Sequence, residues 1–164
     1  MQTIGPTLNA RASCEEVLRS LPAWFGIEDA LLMYADDTLR LPTFAAVEDE
    51  GEDEGEGEGE RIVGFVSLLE HFPNAWEIHC IAVHAATRNA GCGRALVAHA
   101  ESWLIARQVS VLQVKTVAAR SPSEAYRQTG EFYKRVGFQP LEVFATLWSP
   151  SNPCVQLVKF LADS

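Results

Sequence analysis

The sequence predicts an α/β fold whose central sheet mixes parallel and antiparallel strands. A short apolar and β-branched segment, 76–84, leads into a glycine-rich turn and then a helix with apolar residues at helical spacing. A β-branched segment at 109–117 follows that helix, which is the order of a strand-helix-strand crossover. Two strand-like segments near the C-terminus, 138–147 and 155–161, flank a Ser-Pro-rich turn and predict an antiparallel pair.

Length and composition favour one domain spanning 1–164. A chain of 164 residues with 48% hydrophobic content is long enough to bury a substantial core. The polar N-terminus shows no secretory leader, and no apolar run approaches the roughly 18 residues needed to span a bilayer, so we expect a cytoplasmic protein without a membrane partner. The four cysteines have neither zinc-site nor disulfide spacing, so we expect reduced thiols and no metal.

The negative charge of the chain is concentrated in residues 48–60. Nine of the 22 acidic residues lie in this glycine-rich segment, and the 13 that remain balance 13 lysines and arginines. Because no basic stripe exists and the acidic segment repels phosphates, nucleic-acid binding is unsupported. The composition predicts a solvated loop, which is also suited to attracting a cationic molecule.

The elements before the acidic segment follow from capping signals and apolar spacing. Residues 1–12 carry no pattern and are expected to fray. Ser13 and Glu16 match a capping box, which predicts a helix starting there and ending before Pro22. A second helix is predicted over 28–35.

Two strands, 41–47 and 61–69, are predicted on either side of the acidic loop, and a turn is expected at 71–74. The central helix is predicted from Gly91 to about Gln108. A last helix is predicted from about Ser123 to Val136, where Gly137 supplies a C-terminal stop.

The glycine-rich turn after the central strand is the most informative segment. Gly91 and Gly93 permit a sharp turn and a close approach of backbone N–H groups to a ligand. The following helix begins with unpaired amides and the positive end of its dipole, which suit a phosphate. Arg88 and Arg94 add mobile positive charge.

Two motifs resemble the GNAT superfamily of N-acetyltransferases. Arg88-x-x-Gly91-x-Gly93, between a strand and a helix, looks like its acetyl-CoA pyrophosphate loop, and residues 131–138 resemble its later helix with an aromatic pair and a terminal Gly-Phe. The resemblance covers roughly 13–161 and implies a mixed, curved sheet of about six to seven strands with about four helices. A Rossmann site is disfavoured because a third glycine and a later acidic residue are missing.

The resemblance assigns acetyl-CoA as co-substrate and most of its binding site to the backbone. The acetyl and pantetheine end would pair with main-chain groups of Ile81, Ala82 and Val83. The pyrophosphate would lie on the backbone of the following turn: Arg88, Asn89, Ala90, Gly91, Cys92, Gly93 and Arg94. Cys92 is interpreted as a bystander thiol.

Two proton-transfer residues are also implied by the resemblance. Tyr133 occupies the position of a tyrosine hydroxyl beside the cofactor sulfur, and a phenol with a pKa near ~10 can protonate a thiolate. Glu77, eleven residues before Arg88, is the candidate base, with His79 as the alternative on the same strand. Tyr126 stands where many members place an asparagine, so the family's substrate-side contacts do not carry over to this position.

The predicted function is direct transfer of an acetyl group to a primary amine in a ternary complex, with catalytic residues Tyr133 and Glu77. A small-molecule acceptor, such as a polyamine or an aminoglycoside, fits the acidic segment, and a protein or peptide amine fits the Glu77 spacing. A non-catalytic CoA-binding regulatory module is the rival from another class. A homodimer is possible, because many relatives pair through late strands.

Overall fold

The computed structural model describes residues 1–49, 60–118 and 123–161. The described residues form seven strands and four α-helices: β1 Gln2–Ile4, α1 Arg11–Arg19, α2 Glu28–Asp37, β2 Thr43–Asp49, β3 Glu60–Phe72, β4 Ala75–Val83, α3 Cys92–Ile105, β5 Val111–Val117, α4 Glu124–Arg135, β6 Gln139–Ser149 and β7 Asn152–Phe160. The strands form one sheet in the order β1-β2-β3-β4-β5-β7-β6. The predicted mixed sheet with four helices is therefore confirmed.

The chain forms two compact units, which are described separately. The first contains residues 1–69 and 79–102, and the second contains 70–78 and 103–164. The sequence analysis predicted a single domain spanning 1–164, and this assignment remains a prediction.

The first unit is built on the β2–β3 hairpin and the helices α1 and α2. The hairpin is antiparallel from Thr43 opposite Ser67 to Asp49 opposite Glu60, as expected from the two flanking strand patterns. Helices α1 and α2 bury one apolar face each, and a hydrophobic core forms between them and the strands. Its buried members are Cys14, Val17, Leu18, Leu21, Leu31, Ala35, Ala45, Phe65, Cys80 and Ala82.

The second unit contains the predicted parallel pair and the antiparallel pair. Strand β4 pairs in parallel with β5 over Ala75–Glu77 and Val111–Gln113, which confirms the strand-helix-strand crossover through α3. Strand β7 is antiparallel to both β5 and β6. The C-terminal hairpin predicted from the Ser-Pro-rich turn is thereby confirmed.

The N-terminal residues differ from the prediction. Gln2–Ile4 form β1, which pairs antiparallel with Val47–Ala45 of β2 instead of fraying. Helix α1 begins at Arg11 with Ala10 as its N-cap, so the Ser13–Glu16 capping box is wrong. Ser13 lies inside the first turn, and Arg11 instead contacts Glu15 at 3.1 Å.

Several element boundaries also differ. Strand β3 continues through His71 and Phe72, so the turn contains only Pro73 and Asn74. Glu48, Asp49 and Glu60 belong to strands, and the remainder of the predicted acidic loop, 50–59, lies outside the described residues. Helix α3 ends at Ile105 instead of near Gln108, where a positive φ of 64° ends the turn.

Among the helices that the structure describes, none has the length and apolar character required to cross a bilayer.

Gly137 ends α4 in a conformation that other residues rarely adopt. Its φ is 101°, its N–H donates to Lys134 O at 3.1 Å, and Phe138 N donates to Tyr133 O at 2.9 Å. These two bonds satisfy the last carbonyls of the helix. A Cβ at this position would lie 3.0 Å from Lys159 Cε.

We predict that Gly137→Ala destabilises the protein by about 1–2 kcal/mol, because alanine is strained at positive φ. Gly130→Ala is the matched control, because Gly130 lies inside α4 and an added Cβ there meets nothing within 4 Å. It should stabilise by about 0.5–1 kcal/mol, since alanine favours a helix interior. Urea unfolding of both variants measures the difference, and equal midpoints would contradict the strain argument.

Candidate active site

The segment between β4 and α3 is a short 3-10 turn, Ala85–Thr87, followed by an exposed stretch, 88–91. Asn89 and Gly91 adopt positive φ values of 68° and 82°. Asparagine and glycine are the residue types that tolerate this conformation. Both residues lie just before α3 begins.

The start of α3 has backbone donors that the helix itself does not use. Ala95 N donates to Gly91 O at 3.0 Å, which is the first helical hydrogen bond of α3. The amides of Cys92, Gly93 and Arg94 precede that bond and have no acceptor within the helix. A Cβ added at Gly91 would meet nothing within 4 Å, so the space beside the turn is open. This geometry fits an anionic group such as a pyrophosphate.

The turn is held in place from below by His84 and Ser20. His84 N donates to Val63 O at 2.7 Å, and its Nδ1 accepts from Ala86 N at 3.1 Å. Ser20, at the C-terminal end of α1, accepts from Ala85 N at 3.1 Å through its hydroxyl. These contacts fix where the exposed residues 88–91 begin.

Gly64 in β3 provides the clearance behind this segment. An added Cβ would lie 3.0 Å from Ala82 O, 3.0 Å from Cys92 Sγ and 3.3 Å from Leu96 Cδ1. Only glycine therefore lets β3 pack this closely against both β4 and the first turns of α3. The sequence analysis missed this residue, because an isolated glycine inside a strand pattern is the only signal it leaves.

The two arginines of the motif differ in their surroundings. The Arg88 guanidinium lies 4.5 Å from the centroid of the Trp24 ring, within cation–π range. An aromatic residue thus positions the charge of Arg88, whereas the sequence analysis expected a mobile side chain. Arg94 is exposed in the first turn of α3.

Cys92 is not placed as a nucleophile. Its side chain is buried, and burial, followed by the charge of Glu48, raises the pKa of the thiol to about 11. Because the thiolate is the reactive form, this environment keeps the sulfur inert at neutral pH. The interpretation of Cys92 as a bystander agrees with this geometry.

Ile81, Ala82 and Val83 end β4 and lead into the turn. Ala82 is buried in the core of the first unit, whereas Ile81 and Val83 are half-buried. Because side chains alternate along a strand, Ile81 and Val83 share the face opposite Ala82. Trp24, Phe25 and Tyr34 are partly buried and pack against the same core.

Glu77 is buried in a polar cluster of the second unit. Its Oε1 lies 2.7 Å from His71 Nε2, 2.9 Å from Gln113 Nε2 and 3.2 Å from Lys115 Nζ. Gln156 Nε2 extends the cluster by donating to Gln113 Oε1 at 2.6 Å. Glu77 is therefore not on an exposed face, and three donors already converge on one of its oxygens.

His79 has a carboxylate partner that no sequence pattern indicates. His79 Nε2 lies 2.8 Å from Asp37 Oδ2 at the end of α2, and both side chains are largely buried. The two residues are 42 positions apart, so no motif spacing connects them. The Tyr34 ring also packs on the imidazole, with 5.3 Å between centroids.

Tyr133 lies on the last turns of α4 and is buried at 4% exposure. Its ring contacts Phe132 and Phe138, with centroids 5.3 Å and 5.6 Å away. About two helical turns earlier, burial raises the pKa of the half-buried Tyr126. The aromatic contacts fix the orientation of the Tyr133 ring.

The predicted site residues divide between the two units. The first unit brings together His79, residues 81–83 and the turn 88–94, and the second contains Glu77 and Tyr133. In the part of the chain that the structure describes, no group of three potential metal ligands is found.

A family model described as an acetyltransferase (GNAT) domain matches residues 43–140. The chain belongs to the GNAT acetyltransferase family. The matched range includes both motifs that carried the resemblance, the turn at 88–94 and the helix ending at Gly137. No curated protein matches the acetyltransferase.

Solved structures of the same fold cover nearly the whole acetyltransferase. A GNAT-family protein from Desulfovibrio desulfuricans is 18% identical with a TM-score of 0.79, and the match covers 98% of this chain and 99% of that one. An aminoglycoside 6'-N-acetyltransferase complexed with coenzyme A is 17% identical with a TM-score of 0.75, over 100% and 99% of the two chains.

The ribosomal-protein-S18-alanine N-acetyltransferase from Escherichia coli is also similar. It is 14% identical with a TM-score of 0.69, and the match covers 99% of this chain and 96% of that one. At these identities the similarity establishes the fold.

Proposed function

We propose that this acetyltransferase moves an acetyl group from acetyl-CoA to a primary amine by direct attack in a ternary complex. The observation that carries the proposal is the start of α3, where unpaired amides follow a turn with two positive φ values. One of the similar structures was solved with coenzyme A, which supports the choice of donor. Acetyl-CoA supplies an activated thioester, so no covalent enzyme intermediate is required.

The residues of the turn have the properties needed to hold the pyrophosphate. The amides of Cys92, Gly93 and Arg94 offer donors at the positive end of a 14-residue helix. Arg88 and Arg94 are exposed beside them and supply cationic charge. The remaining residues of the proposed set, Asn89, Ala90 and Gly91, contribute backbone that is exposed to a ligand. The open space beside Gly91 leaves room for the group.

The proposed proton-transfer roles of Tyr133, Glu77 and His79 follow from the acid–base chemistry of their side chains. The acetyl and pantetheine end is proposed to pair with the backbone of residues 81–83. Tyr133 donates a proton to the departing thiolate, because a phenol is protonated at neutral pH. The amine must lose a proton as it attacks, and Glu77 and His79 on β4 are the two candidate acceptors.

A small-molecule amine is the proposed acceptor. Outside residues 48–60 the 13 acidic residues balance the 13 lysines and arginines, so the net charge of the chain lies in that one segment. The nine acidic residues of that segment favour the approach of a polycationic amine, and this attraction fades with salt. The fold does not separate the two acceptor classes, since its solved relatives include aminoglycoside and ribosomal-protein acetyltransferases.

We predict that Gly93→Trp weakens acetyl-CoA binding at least about tenfold, because an indole at the start of α3 blocks the amides around it. Ser102→Trp is the matched control, since Ser102 is exposed on the same helix, well after the first turn. Isothermal titration with acetyl-CoA and CoA measures both affinities. Equal affinities in the two variants would contradict the placement of the pyrophosphate.

The wild-type protein is then assayed for thiol release with kanamycin, spermidine and an alanine-terminated peptide as acceptors. Turnover of kanamycin or spermidine supports the small-molecule acceptor, whereas turnover of the peptide alone moves the proposal to peptide amines. Binding without any turnover would favour a regulatory role for CoA binding.

We predict that Tyr133→Phe lowers kcat about 100-fold, which is within the usual contribution of a general acid. The affinity for acetyl-CoA should be unchanged, because the phenylalanine ring retains the contacts with Phe132 and Phe138. Steady-state kinetics, together with thermal unfolding of the variant, separates loss of the acid from loss of folding. A wild-type kcat would remove Tyr133 from the mechanism.

A homodimer through β6 is part of the proposal. In the sheet formed by the described strands, β6 is at one edge. It exposes several large apolar side chains: Leu141 at 62%, Val143 at 44%, Leu147 at 54% and Trp148 at 50%. An edge strand of this kind is a template for pairing with another chain, and a second copy covers it without exposing a new edge.

We predict that light scattering gives a mass of twice 18.0 kDa for the wild type and 18.0 kDa for Val143→Lys. A lysine on the edge strand opposes pairing by placing a charge in the interface. Ile27→Lys is the control, because Ile27 is an exposed apolar residue in the first unit, at 72% exposure. A monomeric wild type would reject the dimer.

A further inference from the structure

The pair formed by Asp37 and His79 is held from several directions within the first unit. Asp37 is the last residue of α2, and its Oδ2 lies 2.8 Å from His79 Nε2. Its other oxygen, Oδ1, accepts from Arg40 Nη2 at 2.9 Å. Tyr34 packs on the imidazole at 5.3 Å, and Phe25 meets Tyr34 edge-on at 5.9 Å. The carboxylate and the imidazole therefore have fixed orientations.

The hydrogen bond to Asp37 determines which imidazole nitrogen is available for chemistry. An ionised carboxylate only accepts hydrogen bonds, so Nε2 carries the hydrogen in the neutral ring. Nδ1 then carries the lone pair. This arrangement is suited to a base whose orientation and tautomer are set by a carboxylate.

The position of His79 along β4 favours it over Glu77. His79 is two residues before Ile81, so the two side chains share a strand face and are separated by about 7 Å along the strand. Glu77 is four residues from Ile81, and its Oε1 is already engaged by three donors. Under the proposed function, residues 81–83 hold the acetyl end, so His79 is the closer group in the chain.

We propose that His79 is the proton acceptor of the transfer and that Asp37 is the positioning residue that orients its imidazole. The inference rests on the proposed function. As the N–C bond forms, Nδ1 of His79 takes the proton that the amine nitrogen loses. As the C–S bond breaks, the sulfur leaves as a thiolate and receives a proton from Tyr133. Exchange with solvent returns the proton from the imidazolium to the phenolate.

Three ionisable groups lie near the pair along the chain: Arg40, Cys80 and Glu77. Arg40 balances part of the charge of Asp37 through Oδ1. Cys80, next to His79 in β4, stays protonated, because burial foremost, and then Cys14 and Asp37, raise the pKa of its thiol. Glu77, two residues earlier, is paired with Lys115. Among the groups described here, Asp37 is the acid that contacts the ring.

The kinetic test compares His79→Gln and Asp37→Asn with wild type in the thiol-release assay, using spermidine, kanamycin and the alanine-terminated peptide. We expect His79→Gln to lower kcat about 100-fold with little change in the affinity for acetyl-CoA. Asp37→Asn should lower kcat at least about tenfold, and Asp37→Glu should restore part of the loss. Added imidazole should raise the turnover of His79→Gly.

Asp36→Asn is the matched control for Asp37→Asn. Asp36 is the neighbouring acid on α2, and its carboxylate binds Arg11 at 2.5 Å. This variant removes a charge and an ion pair from the same helix, so it measures the structural cost alone, and its kcat should equal that of wild type. If Asp36→Asn and Asp37→Asn lose the same activity, the positioning role is wrong.

A proton NMR spectrum tests the orientation without any acceptor. A hydrogen-bonded imidazole N–H, protected from exchange, should give a low-field resonance in wild type that is absent from both His79→Gln and Asp37→Asn. Its absence from wild type would overturn the role of Asp37. The inference also fails if His79→Gln keeps wild-type kcat while Glu77→Gln loses it. Failure of the proposed function is recognised separately, as wild-type protein that does not bind acetyl-CoA.

Discussion

The main physical constraint on this fold comes from the backbone amides at the start of α3, which the helix itself cannot pair. Every α-helix begins with donors that need an external acceptor, and α3 begins with them on an exposed turn. The turn is kept open by positive φ values at Asn89 and Gly91. It is fixed at its base by His84 and Ser20, which accept from the amides of Ala86 and Ala85. The chain thus satisfies the donors at the base of the turn, whereas α3 itself does not pair the amides of Cys92, Gly93 and Arg94.

Strand β4 combines an apolar core with two polar residues, and each of them is satisfied differently. Glu77 lies in a cluster with amide and cationic donors, which anchors it in the second unit. His79 pairs with one carboxylate of a helix in the first unit and packs on an aromatic ring. A buried polar group costs free energy unless it is hydrogen-bonded, so both arrangements are compatible with stability. They differ in which atoms remain available for proton transfer.

Much of the fold was predictable because it depends on local patterns. The crossover around α3, the C-terminal hairpin and the stop at Gly137 follow from β-branched segments and turn residues, and each was confirmed. Strand β1 was not predictable, since three residues that pair with β2 have no periodicity of their own. The start of α1 was misplaced because the helix begins at Arg11, before the capping signal, with an N-cap that makes no side-chain hydrogen bond.

The candidate site also has one part that local sequence patterns predict and another part that they do not. The turn at 88–94 could be predicted as a backbone feature, because glycine spacing reports backbone conformation directly. The partners of Glu77 and His79 come from distant segments, such as Gln113 and Asp37, and no spacing rule connects them. Their identity depends on how helices and strands pack, which single-sequence patterns do not specify.

Gly64 lies in β3, outside the glycine-rich turn, but the position of the turn depends on it. Its lack of a side chain allows β3 to lie against Ala82 O and the sulfur of Cys92, directly behind the first turn of α3. A survey of amino-acid exchanges along this chain would therefore find a sensitive position in a strand that carries no chemical group. Such sensitivity would resemble that of a ligand contact, although its origin is the thickness of the layer that supports the turn.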